Sequence, residues 1–360
     1  MTDTMQAVVN HGPGDYRVQT VPRPAAGPDE VVIAVEAAGI CASDAKCFAG
    51  AAMFWGGDDP WVKAPVIPGH EFFGTVVELG SGAGERHGVQ VGDRAIAEQI
   101  NPCERCRYCR RGQYWMCAVH DIYGFQREVA DGAWADYMRF GPNSRVHRLP
   151  PDLSRPAGVL VEPLACAIHA VERGDVRLGD TVVLAGAGAI GLLMLQVLWL
   201  RSPGHIIVTD ARDARLDVAR RLGADATINV ERDDVAARVA EATDGDGADV
   251  FIEATGHPEA VGQGLAAVRK LGTMVVFGVF AAPATADWSI IGDRKELDVR
   301  GAHLGPYCYP QAIDYLHRGV VDASPVVTHH LPLGRFDTGL QALQAGEAIK
   351  VMLTPNGGRP

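Results

Sequence analysis

Apolar and polar positions follow one texture before about residue 155 and another after it. In the first stretch, short runs rich in β-branched residues, such as Ala7–Val9 and Val31–Val35, are punctuated by Gly and Pro, a pattern that predicts strands. The Pro-rich segment 21–28 separates two of them, and Val66–Leu79 and Val91–Ala97 read as further strands. From about residue 156, the apolar runs Thr181–Ala185, Ile206–Thr209, Val250–Glu253 and Met274–Gly278 alternate with longer helical patterns, which predicts a parallel sheet of βαβ units. Leu297–Gly301 adds a strand, and the residues after it are too few for a domain of their own, so they are expected to return to the first. The fold class is α/β, divided into 1–155 with 302–360, and 156–301.

Composition narrows the functions open to such a chain. Its 360 residues suffice for two cores, and 47% hydrophobic against 21% charged residues is a globular balance. A net charge of −11 repels polyphosphate backbones and anionic membrane surfaces, so neither nucleic acid nor a membrane is an expected partner. Val182–Leu200 carries no charge and approaches bilayer-spanning length, but Gly186, Gly188 and Gly191 break it, and it reads as a buried strand, a glycine turn and a buried helix. The start, MTDTMQAVVN, has neither the basic nor the apolar region of a secretory signal, which predicts a cytoplasmic protein.

Eight cysteines without such a signal are expected to be metal ligands or buried thiols rather than disulfides. Cys103, Cys106, Cys109 and Cys117 form C-x2-C-x2-C-x7-C, where two-residue gaps let successive sulfurs face one centre. Four thiolates suit a tetrahedral, closed and therefore structural Zn2+. The seven-residue gap departs from ferredoxin spacing, and the acidic chain argues against a nucleic-acid zinc ribbon despite Arg105, Arg107, Arg110 and Arg111.

The strand Val182–Ala185 leads into Gly186-Ala187-Gly188-Ala189-Ile190-Gly191 and an apolar helix, the G-x-G-x-x-G arrangement that brings pyrophosphate to a helix N-terminus. Asp210 follows the next predicted strand, placed to accept hydrogen bonds from the adenosine ribose, which favours NAD over NADP. Arg212 and Arg215 stand nearby and soften that preference.

Taken singly, Cys41 and the pair His70-Glu71 are weak signals, since a lone Cys is usually a small buried hydrophobe and a His-Glu pair usually a surface or satisfied core group. Gly69-His70-Glu71 continues to Gly74 and Gly80, however, and this pattern resembles the zinc signature of medium-chain alcohol dehydrogenases, with the cysteine cluster and glycine loop next in that family's order. The stretch Val161-Glu162-Pro163-Leu164-Ala165-Cys166 is similar to its polyol branch, the sorbitol, threonine and butanediol dehydrogenases.

The resemblance implies a GroES-like β-rich catalytic domain beside a Rossmann doubly wound domain, with the active site in the cleft. It also implies two Zn2+ ions, one catalytic and one structural, an NAD cofactor, and reversible oxidation of a secondary alcohol to a ketone. Cys41 and His70 would be ligands of the catalytic zinc, with Glu71 or Glu162 third; the alternative for Glu162 is a helix N-terminal charge before Pro163. Ser43 corresponds to the hydroxyl that takes the alcohol proton, or else it only bonds within a turn. Lys46 stands where relatives commonly carry a relay His. The expected substrate is a small polyol, with a tetritol such as erythritol or threitol first, and butanediol, threonine or a simple alcohol as alternatives. A tetramer is expected by resemblance only. The loop aromatics Phe54, Trp55 and Trp61 would either roof the substrate pocket or face a neighbouring subunit. A non-enzymatic NAD sensor would not need Cys41, His70 and Glu71.

Overall fold

The computed structural model describes residues 3–126, 130–280 and 282–355. It divides into two compact units, Met1–Glu162 with Tyr309–Pro360, and Pro163–Cys308. Both junctions fall later than the sequence texture suggests. At the first, helix Arg155–Val159 packs on strands Val31–Ile40 and Phe72–Leu79, and Gly158 lies so close to Phe73 that a Cβ there would collide with the ring. At the second, Ala302 donates its N–H to Val276 and Gly305 lies against the Ala165 backbone, so the segment up to Cys308 stays with the second unit.

The first unit is built on a seven-stranded sheet. Val327–Pro332, Lys350–Thr354, Val31–Ile40, Phe72–Leu79, Arg94–Ala97 and Val146–Arg148 stand in that spatial order, and Tyr137–Phe140 pairs with Val31–Ile40. All neighbours are antiparallel except the first two strands. The chain's last described strand thus lies beside one of its earliest, with Val351 opposite Ile40. Val31–Ile40 carries Val, Ile and Ala on both faces and is buried along almost its whole length, as expected for a central strand.

The second unit is a six-stranded parallel sheet, in spatial order Ala226–Asn229, His205–Asp210, Thr181–Ala185, Ala248–Glu253, Val268–Val276 and Asp298–Gly301. In sequence order within the unit this is 3-2-1-4-5-6, the doubly wound arrangement, with its switch point between the first and fourth strands. Part of its core is a cluster around Val183, Ile207, Phe251, Leu265 and Met274. The uncharged segment 182–200 resolves into the end of one strand, the glycine turn and helix Ala189–Trp199, and among the described residues no helix is long and apolar enough to cross a membrane.

Three of the expected strands lose two or more residues at one end. In Val66–Leu79 only Phe72–Leu79 is strand: Pro68 has no N–H to give a ladder, and Gly69 turns the chain at φ +101° against Trp134. The run Val91–Ala97 shrinks to Arg94–Ala97, after a turn in which Asp93 N–H reaches Gln90 and Gln90 N–H reaches the Asp93 carboxylate. The strand expected at Met274–Gly278 ends at Val276, because the next two amides turn in to the Glu253 carbonyl.

His169, half-buried on helix Val161–Gly174, has its pKa pushed down to about 4 by burial and then by Arg173. In the unfolded chain it titrates near 6.5, so between these values the unfolded state binds more protons and stability falls as pH drops from about 6.5 towards 4. Calorimetry across that window should show a smaller fall in melting temperature for His169→Gln than for the parent; equal falls would assign the loss to other groups.

Candidate active site and cofactor loop

Antiparallel pairing of Val31–Ile40 with Phe72–Leu79 brings the end of the first strand to the start of the second, and Gly39 N–H donates to the Glu71 carbonyl at 2.7 Å. Cys41 comes directly after the first strand and His70-Glu71 immediately precede the second, so residues about thirty apart in sequence converge. The ligand atoms of Cys41, His70 and Glu71 all lie within 4.8 Å of one another. Gly39 makes room for this: a Cβ there would run into the Glu71 carboxylate. A thiol, an imidazole and a carboxylate at such spacing are a donor set that fits Zn2+ with a position left for another ligand.

The side chains around the trio fix it. Asp44 Oδ2 accepts the Cys41 N–H at 2.8 Å, as a capping-box residue does at the start of helix Ala42–Phe48, and Asp44 Oδ1 lies 3.5 Å from His70 Nδ1. Burial works against a charged His70, but Asp44 and then Cys41 outweigh it and hold its pKa well above 6.5. Ser43 Oγ is 3.5 Å from His70 Nε2. Lys350 Nζ reaches both Glu71 oxygens, at 2.5 and 2.6 Å, with both side chains almost fully buried. Burial alone would lower Lys350, yet Glu71, then Cys41 and more weakly Glu162 raise it.

Glu162 is not a member of the trio. It stands in the first turn of helix Val161–Gly174, buried, with Gln99 Nε2 donating to its Oε1 at 2.5 Å. Lys46, half-buried, lies one helical turn beyond Ser43 in Ala42–Phe48. The loop aromatics turn onto their own chain: Phe54 is buried and stacks on Phe125 at 5.5 Å, Trp61 packs on Phe125 at 5.0 Å, and Trp55 Nε1 donates to the Cys47 carbonyl. Phe125 in turn lies 5.5 Å from the His70 ring, so an aromatic wall stands one layer from the trio.

The second cysteine group is also assembled. The sulfurs of Cys103, Cys106, Cys109 and Cys117 lie within 4.8 Å of one another, and none of the eight cysteines is in a disulfide. N–H donors from Ala118 and then Cys109 hold the Cys106 thiol down to about 6, and Cys103 N–H points at Cys117 Sγ. Four converging sulfurs, two of them already receiving these amide hydrogen bonds, fit a closed Zn2+ site.

In the second unit, Gly186 N–H donates to Thr209, and helix Ala189–Trp199 begins at Gly188 without a side-chain cap or an acidic residue in its first turn. Its N-terminal amides are therefore available to an anion. Gly191 is required by close approach, since a Cβ would collide with the Gly186 carbonyl, while Gly188 faces open space. Ile190 is half-buried in the first turn of this helix. Asp210 ends its strand with Oδ2 accepting from Ala187 N–H at 2.8 Å and Oδ1 from Arg212 N–H at 2.9 Å. Exposed Arg212 precedes helix Asp213–Arg221, which carries half-buried Arg215. The loop fits a dinucleotide.

Asp44, Lys350, Gln99 and Tyr309 are missing from the residues that sequence reasoning singles out. Asp44 had a local signal, an acid three residues after Cys41, the cap of helix Ala42–Phe48; the others had none beyond polarity inside apolar runs.

A GroES-like sheet carrying a Cys-His-Glu trio, a four-sulfur group, and a doubly wound sheet with a dinucleotide loop define a nicotinamide-linked zinc dehydrogenase. Family comparison agrees, with residues 27–151 matching the alcohol dehydrogenase GroES-like domain and 189–318 the zinc-binding dehydrogenase domain. The chain belongs to this family and is a zinc-dependent alcohol/polyol dehydrogenase. It is 49% identical to the erythritol/L-threitol dehydrogenase of Mycolicibacterium smegmatis, over 98% of both chains. It is 36% identical to a sorbitol dehydrogenase of Halalkalibacterium halodurans, over 98% of this chain and 99% of that one. Its structure matches 2R,3R-butanediol dehydrogenase from Bacillus subtilis with a TM-score of 0.87, at 30% identity, covering 98% of this chain and all of that one.

Proposed function

We propose that the protein catalyses reversible NAD-linked oxidation of a secondary hydroxyl of a small polyol, a tetritol first, to the ketose. The observation that carries this is the Cys41-His70-Glu71 trio, half-buried at Cys41 and buried at His70 and Glu71, with a second buried carboxylate, Glu162, in electrostatic reach of Lys350 and an aromatic wall behind His70. Such a site pairs polar acceptors for several hydroxyls with a wall that bounds chain length. The 49% identical relative, an erythritol/L-threitol dehydrogenase, supports the four-carbon substrate.

Cys41, His70 and Glu71 hold the catalytic zinc, and Cys103, Cys106, Cys109 and Cys117 a structural one. The catalytic ion supplies Lewis acidity towards the substrate hydroxyl. Asp44 keeps the imidazole of His70 oriented, and Lys350 holds Glu71 in place through both oxygens. Ser43, beside His70, accepts the hydroxyl proton and passes it outward, and Lys46, one helical turn further along the same helix, continues that route. Glu162 accepts a hydrogen bond from a substrate hydroxyl. The amides at Gly186, Gly188, Ile190 and Gly191 receive the dinucleotide pyrophosphate, and Asp210 the adenosine ribose, which selects NAD.

The test is NADH formation by the zinc-loaded protein on tetritols, pentitols, hexitols, butanediols and threonine, with a chelator-treated control. Expected is a chelator-sensitive rate that peaks on a tetritol. A maximum on threonine or a monoalcohol would overturn the polyol assignment, and an equal rate after chelation would overturn the zinc assignment.

A further inference from the structure

Three segments distant in sequence meet around Glu162. Gln99, just beyond strand Arg94–Ala97, is 1% exposed and donates from Nε2 to Glu162 Oε1. Tyr309, fully buried at the start of helix Tyr309–His317, donates its hydroxyl proton to Gln99 Oε1 at 2.8 Å and accepts the Gln99 backbone N–H at 3.2 Å. An amide side chain can sit in either of two orientations related by a flip. Here the neighbours on both sides select one: Glu162, which only accepts, requires the amide NH2, and the tyrosine hydroxyl donates its proton to the amide oxygen on the other side. In the flipped state an amide oxygen would face the carboxylate, two acceptors in a buried place, which is costly.

The tyrosine is itself held. Its ring stacks on His147 at 5.3 Å, and His147 Nε2 lies 3.1 Å from Glu98 Oε1. A rigid, charge-assisted N–H donor therefore stabilises an ionised Glu162 in one orientation.

We propose that Gln99 and Tyr309 are positioning residues that hold Glu162 as the acceptor for a second substrate hydroxyl, so that the trio Tyr309–Gln99–Glu162 makes the site prefer a polyol over a monoalcohol. This rests on the polyol reading above and adds the residues that enforce it. Glu162 also stands within electrostatic reach of Lys350, the lysine that holds Glu71.

The test compares wild type, Tyr309→Phe, Gln99→Met and Glu162→Gln, each zinc-loaded, on erythritol and on 2-butanol. Loss of the hydrogen bond to a charged group predicts a kcat/KM for erythritol lower by about 10- to 100-fold in Gln99→Met, and loss of the neutral bond that orients the Gln99 amide a smaller fall, about 3- to 10-fold, in Tyr309→Phe, both chiefly through KM, against less than about threefold for 2-butanol. Calorimetric titration of erythritol into each protein with NADH bound should show the same weakening, with zinc content per chain unaltered. In the Glu162→Gln background, Tyr309→Phe should add less than about twofold. Equal losses on both alcohols, or an undiminished effect in the Glu162→Gln background, would overturn the proposal. Failure of the polyol reading itself shows separately, in the wild-type arm, as 2-butanol being preferred over erythritol; the variants then have no preference to lose and the proposal falls with it.

Discussion

Replacing Lys350 by methionine is expected to destabilise the metal-free protein by about 3–5 kcal/mol, the cost of leaving a buried carboxylate without its partner. Glu71 meets Lys350 Nζ through both oxygens, at 2.5 and 2.6 Å, and the side chains are 1% and 3% exposed. For a unit of this size, that corresponds to a melting temperature lower by roughly 10 °C. Adding Glu71→Gln should restore most of it, because the cost lies in the orphaned charge and not in the lost attraction. The same reasoning separates metal-free from metal-loaded protein. A zinc ion held by Glu71 would share the compensation that Lys350 supplies, so the loss on Lys350→Met should be smaller with zinc than after chelation. Scanning calorimetry of the two forms decides it, and equal losses would show that Glu71 does not contact the ion.

What could be read in the sequence was whatever is local. The glycine loop runs strand, turn and helix within one short stretch, and the four cysteines lie within fifteen residues, so spacing alone specified their geometry. The parallel sheet was announced by the alternation of apolar runs and helices. The Cys41-His70-Glu71 trio was legible only through resemblance to a family, since Cys41 and His70 meet by strand pairing that no spacing announces. The residues that hold the trio were not legible at all. Lys350 reaches Glu71 because its strand pairs beside Val31–Ile40, and Tyr309 reaches Gln99 across 210 positions. A lysine or a glutamine in an apolar run carries a hint of burial with a partner, but the partner is chosen by topology. The misplaced start of the strand at Phe72 has the same origin: Val66–Glu71 is apolar enough to extend the strand, and Pro68 and Gly69 turn it instead against Trp134.

Asp210→Ser is expected to lower kcat/KM with NAD by about 10- to 100-fold and to raise it with NADP, so that the ratio between them falls by about 100- to 1000-fold. The carboxylate sits at the end of strand His205–Asp210 beside the glycine loop, with one oxygen on Ala187 N–H and the other on Arg212 N–H. Those bonds hold its charge beside the loop, where a ribose diol would gain charge-assisted hydrogen bonds and a 2′-phosphate would meet repulsion. Serine keeps a short acceptor for the Ala187 amide, which spares the turn, and removes the negative charge. The cations for a phosphate are already close in sequence, Arg212 exposed ahead of helix Asp213–Arg221 and Arg215 within it. Adding Arg215→Ala should therefore abolish the gain on NADP while leaving the loss on NAD unaltered. A wild-type enzyme that already prefers NADP would overturn the cofactor assignment, whereas an unaltered ratio in Asp210→Ser would reduce Asp210 to a residue that caps its own loop.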